Sequence, residues 1–368
     1  MASLFHPLCG STPNTLWRLF TSHGGVSPRR LPQAAIAMAV ALARWPLSLA
    51  EQQLTANVTN TPMPPPIFIV GYWRSGTTHL HNVLSQSDAF GYISPLATGL
   101  PWDILGLVRA LEPLLEKALP SDRYVDNVAV TPTSPQEDAI PLATMGAPSY
   151  YHGLYFPQRF RHHFEQGVFF EGCDDAAIAQ WQRYQQLLLH KVSIHQQGKP
   201  LLVKNPVYTA HVAKLRQLWP EAKFIHIYRN PYVVFPSTRH FFLRLLPELA
   251  LQTYDADTMT PLVEELVLDS YPRMIATLQA ECANLPKHQF AEIRFEDFEQ
   301  APLETLEQVY TTLELDDFDQ VRPQFERYLD GLRGYKKNRY SFDTKVVQRV
   351  EEHWGSLIQQ RGYERPLA

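Results

Sequence analysis

Between Gly71 and Thr78 the chain reads Gly-Tyr-Trp-Arg-Ser-Gly-Thr-Thr. Two glycines at this spacing, followed by hydroxyl residues, suit a tight turn whose backbone N–H groups converge on an anion at a helix start. The pattern comes close to the G-x-x-x-x-G-K-[ST] loop of nucleoside triphosphatases, with Thr78 at the hydroxyl position. Thr77, however, stands where that loop needs a lysine for the β- and γ-phosphates. The cation is Arg74, earlier in the turn. Arg74, Ser75, Gly76, Thr77 and Thr78 are therefore expected to hold a phosphate-like group, though not the terminal phosphates of Mg-ATP.

A second anion site is expected at Arg229, which ends the apolar run Lys223–Tyr228, with Ser237 eight residues on. A guanidinium fork and a hydroxyl suit a phosphate monoester. Two such sites on neighbouring strands point to a nucleotide phosphorylated at two separate positions.

These residues need elements to position them. Ile67 to Val70 reads as a buried strand delivered by the proline-rich stretch Thr61–Pro66, and Thr77 opens a helix. Further strands are expected around Phe90–Pro95, Pro200–Lys204, Lys223–Tyr228 and Gln289–Phe295. Helices are expected over Pro101–Leu119, Asp175–His195, Tyr232–Leu246, from Pro206 through Trp219, and around Val346–Ile358. A further helix is expected over Glu137–Met145, with Ser134 and Glu137 as a capping box. Alternating strands and helices predict an α/β fold, a P-loop-like parallel sheet flanked by helices. Chemistry in such sheets gathers beyond the strand C-termini, where Arg74, Lys204 and Arg229 fall. Residues 1–62 read as an N-terminal helical arm and 63–368 as the α/β domain. The arm carries apolar positions such as Leu16, Ile36, Val40 and Leu47 beside Arg29, Arg30 and Arg44. Packing on the main domain is its first reading, and peripheral contact with an anionic membrane the second.

Arg-Ser-Gly-Thr-Thr after an apolar strand, Lys-Asn-Pro at Lys204–Pro206, Phe-Ile-His-Ile-Tyr-Arg-Asn-Pro with Ser237 downstream, Arg-Phe-Glu-Asp-Phe at Arg294–Phe298 and Tyr-Lys-Lys-Asn at Tyr335–Asn338 occur in order, ahead of Trp354 and Gly362-Tyr363. Together they resemble sulfotransferases that use 3′-phosphoadenosine 5′-phosphosulfate (PAPS), over roughly Pro66 to Pro366. The loop is most similar to the bacterial-type branch, shared with tyrosylprotein sulfotransferases. The resemblance implies that residues 74–78 hold the 5′-phosphosulfate and Arg229 with Ser237 the 3′-phosphate. Lys336, Lys337 and Asn338 would close over the 3′-phosphate or adenine. Arg74 stands at the family's catalytic cation, and Lys204 is the second candidate for stabilising the transferring group. No metal is implied. Cytosolic members place a basic histidine where this chain has Pro206, so the base is sought elsewhere: first at Glu137 and Asp138, adjacent carboxylates near the aromatic stretch Tyr150–Phe164, then at His81. His211 is expected on a helix surface, and Glu296-Asp297 in a structural role.

The chain has 368 residues, enough for a sizeable core, and its net charge of −4 speaks against general nucleic-acid binding. Three widely spaced cysteines, Cys9, Cys173 and Cys282, indicate neither a disulfide framework nor a zinc site, and favour a reducing compartment. The start lacks a signal-peptide pattern, and the uncharged run Ala34–Ala43 is shorter than the roughly 20 residues of a spanning helix. A cytoplasmic protein is expected, acting on a lipid, carbohydrate or small-molecule alcohol. The competing readings are a P-loop kinase or nucleotidase, which would require Mg²⁺-dependent ATP turnover, and a non-catalytic module that binds a 3′,5′-bisphosphate nucleotide.

Overall fold

The computed structural model describes residues 5–110, 134–332 and 343–366. Five strands form one parallel sheet in the order β2-β3-β1-β4-β5: β1 Ile67–Val70, β2 Gly91–Tyr92, β3 Leu201–Lys204, β4 Lys223–Tyr228 and β5 Phe290–Arg294. All residues of β1 and β3 are buried, as the unbroken apolar runs of a sheet covered on both faces require. Register places Ile67 opposite Lys223 and Val70 opposite His226, and carries Tyr228 opposite Arg294. The strands that end at Lys204, at the Gly71 loop and before Arg229 are thus the three central ones.

The helices used below are α1 Pro13–Ser22, α2 Leu31–Leu54, α3 Thr77–Leu84, α4 Ala139–Met145, α5 Asp175–His195, α6 Pro231–Leu249, α7 Ala256–Cys282 and α8 Thr344–Gln360. Contacts divide the chain into two units. One comprises residues 1–64, 91–203 and 242–259; the other comprises 65–90, 204–241 and 260–368. The division drawn along the sequence, an arm over 1–62 and a domain over 63–368, stays a proposal.

In the first unit the stretch Tyr150–Phe164 is core rather than an open lining. Tyr150, Tyr155, Phe156, Phe160 and Phe164 are all buried, and Tyr150, Phe160 and Phe164 each set a ring against Phe242. His23, His152 and His163 stack beside them with ring centroids 4.4 to 6.1 Å apart. Burial keeps these rings from charging: His152, whose Nε2 lies 3.0 Å from the Ala143 carbonyl, is lowered to about 4.

Three local expectations need correction. First, α4 starts at Ala139 rather than Glu137, so its cap position falls on Asp138 and not on Ser134; the Asp138 carboxylate accepts from Gln185 Nε2 at 2.8 Å instead of capping the helix. Second, His211 is buried, at the turn before the helix Val212–Leu218. Third, the uncharged run Ala34–Ala43 is part of the 24-residue α2, and Pro28–Asn60 is long and apolar enough to cross a membrane by length and composition alone. Arg44, which ends the uncharged run in sequence, is turned inward onto Asp103. Of the segment Pro101–Leu119, residues Ile104–Val108 form a turn of π-helix, and 111–119 lie outside the described residues.

Candidate active site

The loop after β1 has a shape that only glycine permits at both ends. Gly71 has φ +149°, and a Cβ there would meet the Ile227 carbonyl oxygen at 2.3 Å. Gly76 has φ +101°, and its Cβ would lie 2.2 Å from the Phe295 ring. Between them Arg74 is held at φ +67°, a left-handed conformation that costs a non-glycine residue about 1 kcal/mol or more. Several bonds hold this conformation in place. Gly71 N donates to Thr209 Oγ1 at 2.8 Å, Ser75 Oγ to the Tyr72 carbonyl at 2.6 Å, and Thr238 Oγ1 to the Trp73 carbonyl at 3.1 Å.

Thr77 then opens α3, so the loop feeds directly into a helix N-terminus, where backbone N–H groups and the helix dipole favour an anion. Thr78 Oγ1 accepts from Lys204 Nζ at 3.2 Å. Lys204 itself is buried at the last position of β3, directly before the Asn205-Pro206 turn, in which Asn205 Oδ1 accepts from Val207 N at 3.2 Å. A strand end followed by a proline turn fixes where the lysine can reach.

Arg74 and Ser237, expected at different phosphates, touch: Arg74 Nε donates to Ser237 Oγ at 2.9 Å. Arg229 Nη1 lies 3.4 Å from the Arg74 carbonyl oxygen, and its guanidinium sits 4.3 Å over the Phe295 ring. The structure thus gathers Arg74, Thr78, Lys204, Arg229 and Ser237 at the C-terminal ends of neighbouring strands. Three cations and two hydroxyls within one cluster can bind a polyanion and stabilise charge that develops on it.

Supporting residues invisible in the local pattern complete the frame. Glu296 accepts from the Asn230 backbone N–H at 2.9 Å and from the Tyr363 hydroxyl at 2.9 Å, and pairs with Arg294 at 3.4 Å. Asn230 Oδ1 in turn accepts from Tyr232 N at 3.0 Å and caps α6, which carries Ser237. Phe295 separates the loop glycine from Arg229. Its neighbour Glu296 reads as structural by type, but nothing in its spacing announces the partner 66 residues earlier. Thr209 was missed as well, because only the fold brings it to Gly71.

On the outer side of Tyr228, Arg361 forms a two-pronged ion pair with Glu292 and lies 4.2 Å over the Tyr228 ring. Burial works against the Glu292 charge, but the His226 and Arg361 contacts outweigh it and hold the carboxyl at about 2. Burial lowers His226 while its 2.9 Å hydrogen bond with Glu292 works the other way, and Arg361 is the permanent charge partner of the carboxylate.

The candidate bases are placed less directly. Glu137 and Asp138 belong to the first unit, where Asp138 is fully buried against Gln185. His81 belongs to the second unit, on the buried side of α3. Lys336, Lys337 and Asn338 lie outside the described residues.

Comparison with known proteins matches residues 65–320 to a sulfotransferase family model. The chain is 32% identical over 303 residues to the omega-hydroxy-beta-dihydromenaquinone-9 sulfotransferases Stf3 of Mycobacterium bovis and Mycobacterium tuberculosis, covering 82% of this chain and 76% of theirs. The fold is similar to the crystal structures of sulfotransferase STF1 from Mycobacterium tuberculosis (TM-score 0.65, 16% identity, 93% of this chain and 90% of that one) and STF9 from Mycobacterium avium (0.67, 15%, 96% and 97%). With the family model spanning most of the chain and the loop, cations and hydroxyls in the arrangement described, the protein belongs to the sulfotransferase family.

Proposed function

We propose that this sulfotransferase moves a sulfuryl group from PAPS to the hydroxyl of a lipid alcohol. The observation that carries the donor assignment is the cluster of Arg74, Lys204, Arg229 and Ser237 around a loop with threonine where Mg-ATP binding needs lysine. The residues suit such a donor: the turn leads directly into the N-terminus of α3, where backbone N–H groups and the helix dipole favour an anion, and the cations stand on adjoining strand ends. Residues 74–78 would hold the 5′-phosphosulfate and Arg229 with Ser237 the 3′-phosphate. Lys336, Lys337 and Asn338 would close over the nucleotide.

When bound, PAPS supplies a sulfur whose bond to the phosphate oxygen breaks as the acceptor oxygen bonds to it. Arg74 and Lys204 stabilise the charge that grows on the bridging and leaving oxygens, the term that dominates where positioned cations face developing charge. The loop and α3 hold the reacting groups in line. The acceptor's proton passes to a carboxylate, Glu137 or Asp138, or failing these to His81. No metal enters this scheme, so activity should survive a chelator.

The acceptor class is drawn from the curated relatives, whose name specifies a hydroxylated menaquinone, a long apolar molecule with a terminal alcohol. A carbohydrate or small alcohol lacks that support. The proposal includes a cytoplasmic setting, supported by the unpaired state of Cys9, Cys173 and Cys282, and peripheral contact with a membrane through the N-terminal helices. The donor assignment is tested by calorimetry: 3′,5′-ADP should bind at least tenfold more tightly than 5′-AMP, because only the former engages Arg229 and Ser237. Equal affinities would refute the two-phosphate site.

A further inference from the structure

We infer that α2 is a docking surface for an anionic lipid bilayer, lying on the membrane with its leucine face in the acyl region while Arg18 and Arg29 meet the headgroups. The inference stands on the first unit alone and does not depend on which acceptor is sulfated.

α2 is inverted relative to an ordinary surface helix, which turns its charges to water. Its only charged residues, Arg44 and Glu51, are both buried. Arg44 pairs with Asp103, which Ser48 also meets at 2.5 Å, and Glu51 pairs with Lys191. Glu51 also accepts from the backbone N–H groups of Leu105 and Gly106, at 3.1 and 2.7 Å. The buried stripe Ala34, Ala37, Ala41, Arg44, Ser48 and Glu51 recurs every three to four residues, so the rest of the circumference is left outside. That outer arc carries Leu31 and Leu42 along one edge and Leu47 and Leu54 along the other, each more than half exposed, with the exposed Ala35, Ala39, Ala43, Pro46 and Ala50 between them. A continuous apolar face of this length on a solvent-exposed helix marks a contact surface.

Charge identifies the occupant. The first 50 residues contain Arg18, Arg29, Arg30 and Arg44 and no aspartate or glutamate, although the chain as a whole has a net charge of −4. Arg44 is neutralised internally, while Arg18 and Arg29 are exposed, and Trp17 on α1 is 66% exposed beside Arg18. An exposed apolar arc with an arginine at its start, next to a helix that also exposes a tryptophan and an arginine, has the composition of helices that lie in the headgroup plane. A symmetric contact between two copies would place like-charged arms against each other, whereas an anionic surface attracts them. Crossing the bilayer is disfavoured, although α2 is long enough, because it would tear Arg44 and Glu51 from their buried partners and carry them into hydrocarbon.

The test is flotation of the full-length protein with vesicles of phosphatidylcholine alone and of phosphatidylcholine with phosphatidylglycerol, with no donor or acceptor present. Binding is expected to the anionic vesicles, weakened at least tenfold by Leu42→Glu with Leu47→Glu, and weakened by raised salt and by Arg29→Glu. These positions are exposed, so circular dichroism and melting should be unchanged and a loss of binding is not a loss of fold. Alkaline carbonate should release the bound protein, as it does for a helix that lies on the surface. The proposal is overturned if the wild type ignores anionic vesicles, if the leucine variants bind as well as the wild type, or if carbonate fails to extract the protein. It is equally overturned if light scattering shows a dimer that the leucine variants dissociate while vesicle binding is absent.

Discussion

At the scale of single residues, Arg74 carries the most weight. It is a non-glycine residue held at φ +67° with its guanidinium fastened to Ser237, and the strain is tolerated because the loop is bonded on both sides. If its role is to stabilise charge in the transition state, Arg74→Ala should lower kcat by roughly a hundredfold or more, on the order of 3 kcal/mol of barrier, with a far smaller change in the affinity for 3′,5′-ADP. A variant with near-normal kcat would remove Arg74 from that role. Arg74, Lys204, Arg229 and Ser237 were all legible in the sequence, since each sits at a strand end or at a fixed offset from one. Glu296, Phe295, Tyr363 and Thr209 were not legible as parts of the site, because their contribution is a contact with residues far away in the chain. Glu296 matters only once β5 lies beside β4 and brings it to the Asn230 N–H.

At the scale of elements, strands β1, β3, β4 and β5 lay close to where apolar β-branched runs placed them, and α5 began and ended as its amphipathic pattern required. α7 is not announced by the same reasoning: its 27 residues contain Pro261 and Pro272, each of which removes a backbone donor from the helix interior. In α2 the sequence shows the apolar positions but not the fate of the charge among them: Arg44, expected as a basic flank, is a buried partner of Asp103. Burial raises Asp103 above the usual carboxylate range while Ser48 and Arg44 pull the other way, as expected of a buried acid whose charge depends on its partners. Removing one member should therefore cost more than removing both. Urea denaturation of Arg44→Met should show a loss of about 3–5 kcal/mol, most of it recovered in Arg44→Met with Asp103→Leu. Additive losses would show that the pair is not coupled.

At the scale of the whole molecule, several buried groups share a vulnerability to acid. His6, with Nε2 3.0 Å from the Leu249 carbonyl, and His152 are both lowered to about 4, mainly by burial, and His23 and His163 are lowered as well. Each ring stays neutral in the fold while the unfolded chain takes up protons below about pH 6.5. Their stabilisation is thus complete above that pH and is lost as the pH falls toward 4, on the order of 3 kcal/mol for each of His6 and His152. Glu292 acts lower: held at about 2, it withholds a further increment as the pH falls through and below the ordinary carboxylate range. The melting temperature should therefore be flat from pH 8 to 7 and drop steeply from 6.5 to 4, and His152→Gln should flatten part of that slope. A pH-independent melt across this interval would show that the rings charge freely in the fold.

The family, the sheet and the cation cluster meet in a claim about reaction. The most direct measurement uses PAPS labelled in its sulfuryl group, incubated with the full-length protein and an isoprenoid quinone bearing a terminal hydroxyl, followed by extraction into organic solvent. Labelled sulfate ester should appear in the lipid fraction, in the presence of chelator, at a rate that Arg74→Ala lowers roughly a hundredfold. Label that never leaves the donor, or that reaches the lipid equally well with Arg74→Ala, would contradict the account.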